Sequence, residues 1–294
     1  MASAYAKKLC PELLIVPPRM AVYREVSIAI QAIFADYTSL IQPLSLDEAY
    51  LDVSESQACR GSATLIAETI RQRVRDTQHI TVSAGVAPNK FLAKIASDWN
   101  KPDGIKVILP SEVEAFIEKL PVERLHGVGK VTAARLKSRG IDVCADLLPW
   151  RKQDLAKEFG SFGERLWQLA RGIDDRPVVV ESKRQSVSVE NTYDQDLPNL
   201  AACLDALTPL LEKLAQRLGR LGDQYRISKP FVKLKFDDFT QTTLEQAGAP
   251  MTPEGYRELC SRAFARGARP VRLIGVGVRL DNAQSPLGEQ LNLF

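Results

Sequence analysis

Two adjacent acids, Asp47 and Glu48, interrupt a short apolar stretch in the first sixth of the chain. Leu44, Leu46 and Leu51 around them are typical of a buried strand or hairpin. An ionised carboxylate in such surroundings is costly unless a positive partner meets it. A divalent cation such as Mg2+ is one such partner, because it takes carboxylate oxygens while holding substrate phosphates. A turn whose acids face water is the alternative, and the spacing alone leaves both open.

A second group of candidate residues has the form of a helix-hairpin-helix motif, in the stretch 125–136. Gly127 and Gly129 let the backbone approach a DNA phosphate, and the N–H groups of the helix that starts near Lys130 point at it. Such a contact positions a duplex without reading its sequence. A glycine-containing turn with no ligand is the alternative. A second, looser hairpin at 160–163 favours DNA contact.

The third group is basic and lies in the last third of the chain. Lys233 and Lys235 alternate with apolar residues, so both lysines face away from the apolar side of a predicted strand. Six arginines, Arg272 among them, lie between positions 257 and 279 against one acid. These charges indicate either a solvated face or a surface that follows DNA phosphates.

The bulk composition excludes several classes of protein. With 45% hydrophobic and 26% charged residues, the 294-residue chain is predicted to fold into two or three domains. The net charge of +3 says little about nucleic acid, so local patches must carry that argument. Five scattered cysteines without a CxxC pair fit reduced thiols better than disulfides or a zinc site. No membrane span or secretion signal is visible, which predicts a cytoplasmic protein.

Helical and strand periodicities alternate along the chain before residue 110 and change afterwards. The early part predicts strands at 13–16, 80–86 and 106–109 and helices at 21–37, 62–76 and 89–99. Residues 111–172 are predicted to be helical, and 173–186 to be a tether. The last part predicts strands at 187–189, 231–236 and 271–278 and helices at about 199–219 and 254–265.

The segment 45–53, SLDEAYLDV, resembles the palm motif of the Y-family translesion DNA polymerases. The resemblance continues through 81–98 and 101–104 and covers essentially the whole chain. It implies an α+β multidomain fold: a palm with a mixed α/β sheet, a helical helix-hairpin-helix thumb and an α+β little-finger domain. The implied domains are a fingers remnant (1–20), palm (21–110), thumb (111–172), linker (173–186), DNA-binding little finger (187–282) and tail (283–294).

The resemblance also implies chemistry and partners. The implied reaction is error-prone, template-directed nucleotidyl transfer in damage tolerance, with two Mg2+ ions in the intact family site. Asp47 would be a metal ligand, and Glu48 the second acid, near the attacking hydroxyl. Lys101 would contact the phosphates of the incoming deoxynucleoside triphosphate, although a lone lysine after a helix is more often a solvated charge.

The implied macromolecular partners are primer–template DNA and a sliding clamp, with the chain itself a monomer. DNA would contact the hairpin glycines and the basic sheet. The C-terminal residues resemble the peptide that bacterial polymerases insert into the clamp. The residues implied in clamp binding are Gln290, Leu291, Leu293 and Phe294.

The resemblance breaks before Asp47. Family members begin with a strand that carries another metal-binding aspartate, followed by paired aromatics, but residues 1–46 contain no Asp-x-Asp-x-Phe-Phe pattern. We therefore expect an N-terminally truncated palm, little polymerase activity from this chain, and palm strands with unpaired backbone groups. The alternatives are a non-catalytic remnant that binds DNA and the clamp, and a nucleotidyl cyclase or another palm-fold enzyme.

Overall fold

The computed structural model describes residues 3–180, 183–222 and 224–282. The chain forms two compact units, Met1–Ser182 and Lys183–Phe294, which divide inside the predicted linker. Among the described residues, no helix combines the length and the apolarity that crossing a membrane requires.

The first unit mixes helices with short strands, as predicted. Its strands form two separate pairs: β1 and β2 are antiparallel, and β3 and β4 are parallel. In chain order the elements are α1 (Ser3–Leu9), α2 (Met20–Ala35), β1 (Ile41–Pro43), β2 (Ala49–Leu51), α3 (Ala63–Gln78), β3 (Ala84–Val86), α4 (Lys90–Trp99), β4 (Ile105–Val107), α5 (Val113–Glu118), α6 (Lys130–Lys137), α7 (Lys152–Phe159) and α8 (Ser161–Leu169).

Local signals explain where the two central helices begin. The Ser62 side chain accepts a hydrogen bond from Leu65 N and caps α3. Asn89 does the same for α4 through Leu92 N at 3.0 Å. Both helices are amphipathic, so each buries one face. This periodicity is why the sequence predicted both helices to within two residues.

Two hydrophobic cores hold the first unit together. The smaller core packs α2 against α3 through Ile33, Ile66, Ile70 and Val74. The larger core joins α4 to the helices that follow residue 110, and its members lie on both sides of that residue. Because Phe91 and Leu92 of α4 are fully buried in this core, α4 packs against the helical region as well as against the strands.

The predicted strand at 13–16 is wrong. These residues have no regular secondary structure, and Leu14 and Val16 are 83% and 74% exposed. Within the described residues no strand pairs with them, and a β-branched run gains little from an extended conformation without a partner strand. The strand predicted at 80–86 is shorter than expected, since only Ala84–Val86 pairs with β4.

The second unit is an antiparallel sheet of four strands with helices on one face. The strand order is β5-β8-β6-β7. Its elements are β5 (Ser186–Leu197), α9 (Leu200–Asp205), α10 (Leu207–Leu218), β6 (Tyr225–Phe236), β7 (Gln241–Glu245), α11 (Pro253–Phe264) and β8 (Val271–Asn282). Val232, Leu234 and Phe236 of β6 point into the core with the helices, so alternate residues face the other side of the sheet.

Two details of this unit differ from the prediction. The helix expected at about 199–219 is two helices, which meet at Ala206. β7 was not predicted, because its residues are mostly polar and it lies at the sheet edge, where one neighbour is enough.

Candidate functional site

Asp47 and Glu48 lie in the turn that joins β1 to β2. Backbone hydrogen bonds from Leu44 N (2.9 Å) and Ser45 N (3.3 Å) to the Glu48 carbonyl close the turn. Ser45 Oγ donates to Asp47 Oδ1 at 2.7 Å, which holds that carboxylate in place. The prediction that this apolar stretch is buried is wrong at the turn, where Leu44 and Leu46 are 46% and 41% exposed. Asp47 is exposed and the Glu48 side chain is 39% exposed, so both acids lie at the surface of the described structure.

A line of alternating charges connects this turn to Lys101. Lys94 Nζ on α4 lies 2.7 Å from Glu48 Oε1 and 3.7 Å from Asp98 Oδ2. Lys101 Nζ lies 2.5 Å from Asp98 Oδ1. The structure therefore brings Glu48 and Lys101 into one network, although 53 positions separate them in the sequence.

The pKa values within this network follow from the contacts. The hydrogen bond from Lys101 lowers the pKa of Asp98 against a smaller opposing effect of burial. Burial would lower the pKa of Lys94, but the hydrogen bond to Glu48 and the charge of Asp98 outweigh it and raise that pKa. Lys94 therefore stays protonated at neutral pH and acts as a fixed positive charge beside Glu48.

The turn that carries Lys101 is held from α3. Arg71 Nη2 lies 2.7 Å from Asp103 Oδ1, and Arg75 pairs with the other carboxylate oxygen of Asp103. A Cβ at Gly104 would lie 1.9 Å from the Asn100 carbonyl oxygen, so the turn tolerates no side chain there. These contacts fix the backbone on which Lys101 stands.

Sequence reasoning missed Lys94. Its spacing of four residues from Asp98 on a predicted amphipathic helix was the available signal. Its pairing with Glu48 depends on a contact across 46 positions, which no local pattern reveals.

A cavity of about 130 Å3 adjoins this network and is lined by Lys94, Ile95, Asp98, Arg124 and His126.

The start of the predicted linker packs against this site. The Asp174 side chain is fully buried. Its carboxylate lies 2.7 Å from Arg176 Nε and 3.0 Å from Arg165 Nη2, and it accepts Phe91 N of α4 at 3.0 Å. Burial alone would raise the pKa of Asp174, but the hydrogen bonds from Arg176 and Arg165 outweigh it and lower the pKa to about 2.

The same segment also reaches the hairpin that carries the acids. Gln42 Oε1 on β1 accepts from Lys90 Nζ at 2.9 Å and from Val179 N at 3.1 Å. Lys90 Nζ also donates to the Pro177 carbonyl at 2.6 Å. The segment 172–179 therefore ties the start of α4 to β1, and it positions Lys94 relative to Glu48.

The predicted helix-hairpin-helix residues lie together at the start of α6. Gly127 has φ +97°, and a Cβ there would lie 2.8 Å from the Phe162 ring. Gly129 is the N-cap of α6, and a Cβ there would meet nothing within 4 Å. Lys130 is the first residue of the helix and is exposed. Gly127 is therefore required by the fold, whereas the absence of a side chain at Gly129 leaves its backbone open to solvent.

The predicted basic strand has the expected orientation. Lys233 and Lys235 lie on the face of the sheet opposite the helices, and Lys233 Nζ lies 2.9 Å from Glu190 Oε2 on β5. Arg272 on β8 lies 3.6 Å from Asp196 Oδ1. The structure places Lys235 and Arg272 near each other, since both lie over the ring of Phe239.

The run of arginines is not one continuous basic surface. Its members lie on different elements, and several pair with acids that are distant in the sequence. These distant pairs are Arg269 with Asp237 and Asp238, Arg272 with Asp196, and Arg279 with Glu245, whereas Arg262 pairs with Glu258 one turn away on the same helix. Counting charges within 257–279 therefore overstated the positive charge of this region.

Two expectations from the sequence, the clamp-binding tail and the metal site, find no support in the described residues. Gln290, Leu291, Leu293 and Phe294 are outside the described residues. Within the described ranges no group of three or more metal-ligating side chains occurs. Asp47 and Glu48 offer the carboxylate oxygens that hard cations prefer, but Glu48 is engaged by Lys94. By themselves these acids do not fit a site for two cations.

Comparisons with known proteins agree along the chain. The model of the impB/mucB/samB family matches residues 1–98, and that of its C-terminal domain matches residues 184–293. The model described as DNA polymerase-iota, thumb domain matches residues 123–174. The chain is 64% identical to DNA polymerase IV of Pseudomonas putida (strain GB-1), over 100% of this chain and 83% of that protein. It is 63% identical to the same enzyme of Pseudomonas entomophila (strain L48), with the same coverage.

Solved structures give the same result for the fold. A Y-family DNA polymerase chimera of Dbh and Dpo4 matches with a TM-score of 0.83 and 28% identity, over 94% of this chain and 81% of that one. An insertion ternary complex of Dbh DNA polymerase matches with a TM-score of 0.62 and 28% identity, over 96% and 82%. These matches confirm the predicted fold class of palm, helix-hairpin-helix thumb and little finger.

Proposed function

The chain belongs to the Y-family DNA polymerases, and on that premise we propose that the turn at Asp47 and Glu48 is its catalytic turn and that Lys101 binds the nucleotide. The family consists of DNA-directed DNA polymerases of the translesion type, which depend on divalent metal ions. The substrates of such an enzyme are primer–template DNA and deoxynucleoside triphosphates. The observation that carries the proposal is the charge network from Glu48 through Lys94 and Asp98 to Lys101.

The network supports a division of roles among its residues. Asp47 is exposed on a turn that is fixed by Ser45, so its free carboxylate oxygen is accessible to a metal ion. Glu48 is held by Lys94, which keeps its carboxylate close to the turn. Lys101 is 54% exposed and pairs with a single acid, so its ammonium can exchange Asp98 for a phosphate. A bound divalent ion would neutralise phosphate charge and activate the attacking hydroxyl.

The 294 residues by themselves are proposed to have little polymerase activity. Within the described residues the turn offers two carboxylates, one of them engaged by Lys94, which are too few for the two metal ions that phosphoryl transfer by this family requires. The second candidate function is therefore a non-catalytic module that retains DNA and clamp binding. The pairing of Glu48 with Lys94 favours it, because a cation already neutralises one of the two acids.

DNA binding is proposed for both units. In the first unit, the open backbone at Gly129 and the exposed Lys130 suit contact with a phosphate at a helix start. Gly127 would act by shaping the turn. In the second unit, Lys233, Lys235 and Arg272 would contact the DNA backbone. The C-terminal tail is proposed to bind a sliding clamp, and the chain is proposed to be a monomer.

Primer extension tests the proposed catalytic role. The purified chain and the Pseudomonas putida relative would be compared on one primer–template with Mg2+, and DNA binding would be measured by gel shift in parallel. We expect DNA binding by both proteins and extension at least about a hundredfold slower by this chain. Extension by this chain at the relative's rate would refute the proposed low activity. If the residual extension survives in Asp47→Asn, the assignment of the catalytic turn is wrong.

A further inference from the structure

The turn between β6 and β7 carries a solvent-exposed aromatic side chain. Phe239 is 61% exposed and has φ +67°. A positive φ is unfavourable for a bulky residue, and glycine or asparagine satisfies such a turn at lower cost. The exposed ring gains little from burial, so the stability of the turn does not explain a phenylalanine at this position.

The turn is rigid in spite of this backbone strain. Phe239 N donates to the Phe236 carbonyl at 3.0 Å, and Phe236 N donates to the Thr240 carbonyl at 2.9 Å. Asp238 Oδ1 accepts from Thr240 N at 2.9 Å and from Thr240 Oγ1 at 2.6 Å. These hydrogen bonds hold the strained conformation in place. Strained backbone conformations of this kind cluster at binding sites.

Arg269 adds a further restraint and neutralises the acids of the turn. Its Nε lies 2.6 Å from Asp237 Oδ1, and it also pairs with Asp238. Asp237 N donates to the Pro270 carbonyl at 3.0 Å, which fixes the turn to the start of β8. The acids nearest the ring are therefore engaged by a cation, which lowers their repulsion of a phosphate.

Two cations flank the exposed ring. Lys235 Nζ lies 4.7 Å from the ring centroid of Phe239, and Arg272 Cζ lies 5.3 Å from it. Within the described residues Lys235 has no acid partner. Arg272 is held loosely, because Asp196 Oδ1 lies 3.6 Å away and accepts no hydrogen bond. Both cations can therefore turn toward a phosphate without breaking a close ion pair.

An exposed ring between cations matches the chemistry of unpaired nucleotides. Single-stranded DNA presents the faces of its bases, which stack on aromatic side chains, together with phosphates that attract lysine and arginine. A duplex offers phosphates, but its base faces are already stacked except at the two terminal pairs. The ring therefore distinguishes single-stranded from double-stranded DNA, whereas the cations do not.

We propose that Phe239, together with Lys235 and Arg272, binds an unpaired nucleotide of single-stranded DNA such as a template overhang. The base stacks on the ring, and the flanking cations contact the adjacent phosphates. This inference rests on the proposed DNA-binding function and specifies one of its substrates. It adds a site at the turn between β6 and β7 that distinguishes single-stranded from double-stranded DNA without reading the base sequence.

The test compares three DNA probes and four forms of the full chain. The probes are a primer–template with a 5′ overhang, a blunt duplex of the same length and a single strand, each with 2-aminopurine at an end or in the overhang. The proteins are the unchanged chain, Phe239→Ala, Phe239→Tyr and Met251→Ala. Met251 is a matched control, since it is 50% exposed in the same unit. Circular dichroism melts confirm that each variant folds.

We expect Phe239→Ala to weaken binding of the overhang and single-strand probes by about tenfold, in line with the loss of one stacked base. Blunt-duplex binding should stay within twofold. Phe239→Tyr should restore both the affinity and the 2-aminopurine fluorescence change, and Met251→Ala should match the unchanged chain.

Each contrary outcome has a distinct meaning. Equal overhang binding by Phe239→Ala and the unchanged chain would refute the stacking site while leaving the proposed DNA-binding function intact. Equal losses for blunt duplex and overhang would also refute it, because they would show a role in the sheet surface and not in stacking. Absence of binding to all three probes by the unchanged chain would refute the proposed DNA-binding function and the stacking site together.

Discussion

Replacement of the buried Asp174 by asparagine should destabilise the first unit. Asp174→Asn keeps the size of the side chain and an oxygen that can accept Phe91 N, but it removes the charge that Arg165 and Arg176 share. The first unit would lose the ion pair that joins this segment to Arg165 on α8 and the pair with Arg176 within the segment. Arg165 is only 23% exposed, so water would solvate its guanidinium incompletely once the carboxylate is gone, whereas the 52% exposed Arg176 would be solvated more easily.

The lowered pKa of Asp174 gives the magnitude. A fall from 3.8 to about 2 corresponds to a stabilisation of about 2 kcal/mol, since each pKa unit is worth about 1.4 kcal/mol. Because the folded-state pKa lies below the unfolded value, this contribution is complete at neutral pH. It declines as the pH falls from about 4 toward 2. At pH 3 about half of this contribution should remain.

Tryptophan fluorescence during urea unfolding measures this effect in the right part of the molecule. All three tryptophans, Trp99, Trp150 and Trp167, lie within Met1–Ser182. The free energy of unfolding of the Asp174→Asn variant should be about 2–3 kcal/mol lower at pH 7, and the difference should halve by pH 3. Asp175→Asn is the matched control, because the neighbouring acid is exposed and should change stability by less than about 0.5 kcal/mol.

Two results would refute this reasoning. A difference below about 0.5 kcal/mol at pH 7 would mean that the arginines contribute little through Asp174. A difference that stays constant between pH 7 and pH 3 would mean that the loss comes from packing and not from charge.

The remaining predictions concern other parts of the site and the sheet. Gly127→Ala should lower the free energy of unfolding by about 2 kcal/mol in the same fluorescence assay, because it forces a side chain into a positive φ and an aromatic ring. Gly129→Ala should leave stability within about 0.5 kcal/mol and weaken duplex binding in a gel shift; equal stability losses for both glycines would contradict this. Lys94→Gln should tighten Mn2+ binding, followed by electron paramagnetic resonance, by up to about fivefold, since a competing cation leaves Glu48; unchanged or weaker binding would contradict the competition. Tyr256→Phe should lower stability, followed by circular dichroism, by about 1 kcal/mol, because its buried hydroxyl donates to a strand carbonyl at 3.1 Å; no change would mean that this bond contributes nothing.

Local patterns determined much of the fold in advance. The helices α2, α3 and α4 follow from apolar spacing and, for α3 and α4, capping residues, which act within a few positions of the chain. The hairpin around the adjacent acids and the glycines at the start of α6 were predicted for the same reason. Lys233 and Lys235 were placed on the correct face, because alternation along a strand is also local.

Patterns failed where a residue's environment comes from distant parts of the chain. Residues 13–16 have strand-like composition, but a strand needs a neighbour, and no described strand pairs with them. The arginines between 257 and 279 looked like one basic surface, yet acids such as Asp237 and Glu245 neutralise several of them.

The sequence by itself determined the family, the acid pair at 47–48 and the helical and strand elements, because these depend on neighbours along the chain. The tertiary structure alone decided that Lys94 meets Glu48, that Asp174 is buried between two arginines, and that Phe239 stands between two cations. Each of these contacts includes a side chain that is distant in the sequence. Their effects on charge and burial depend on distances of a few ångströms, which folding sets and composition does not reveal.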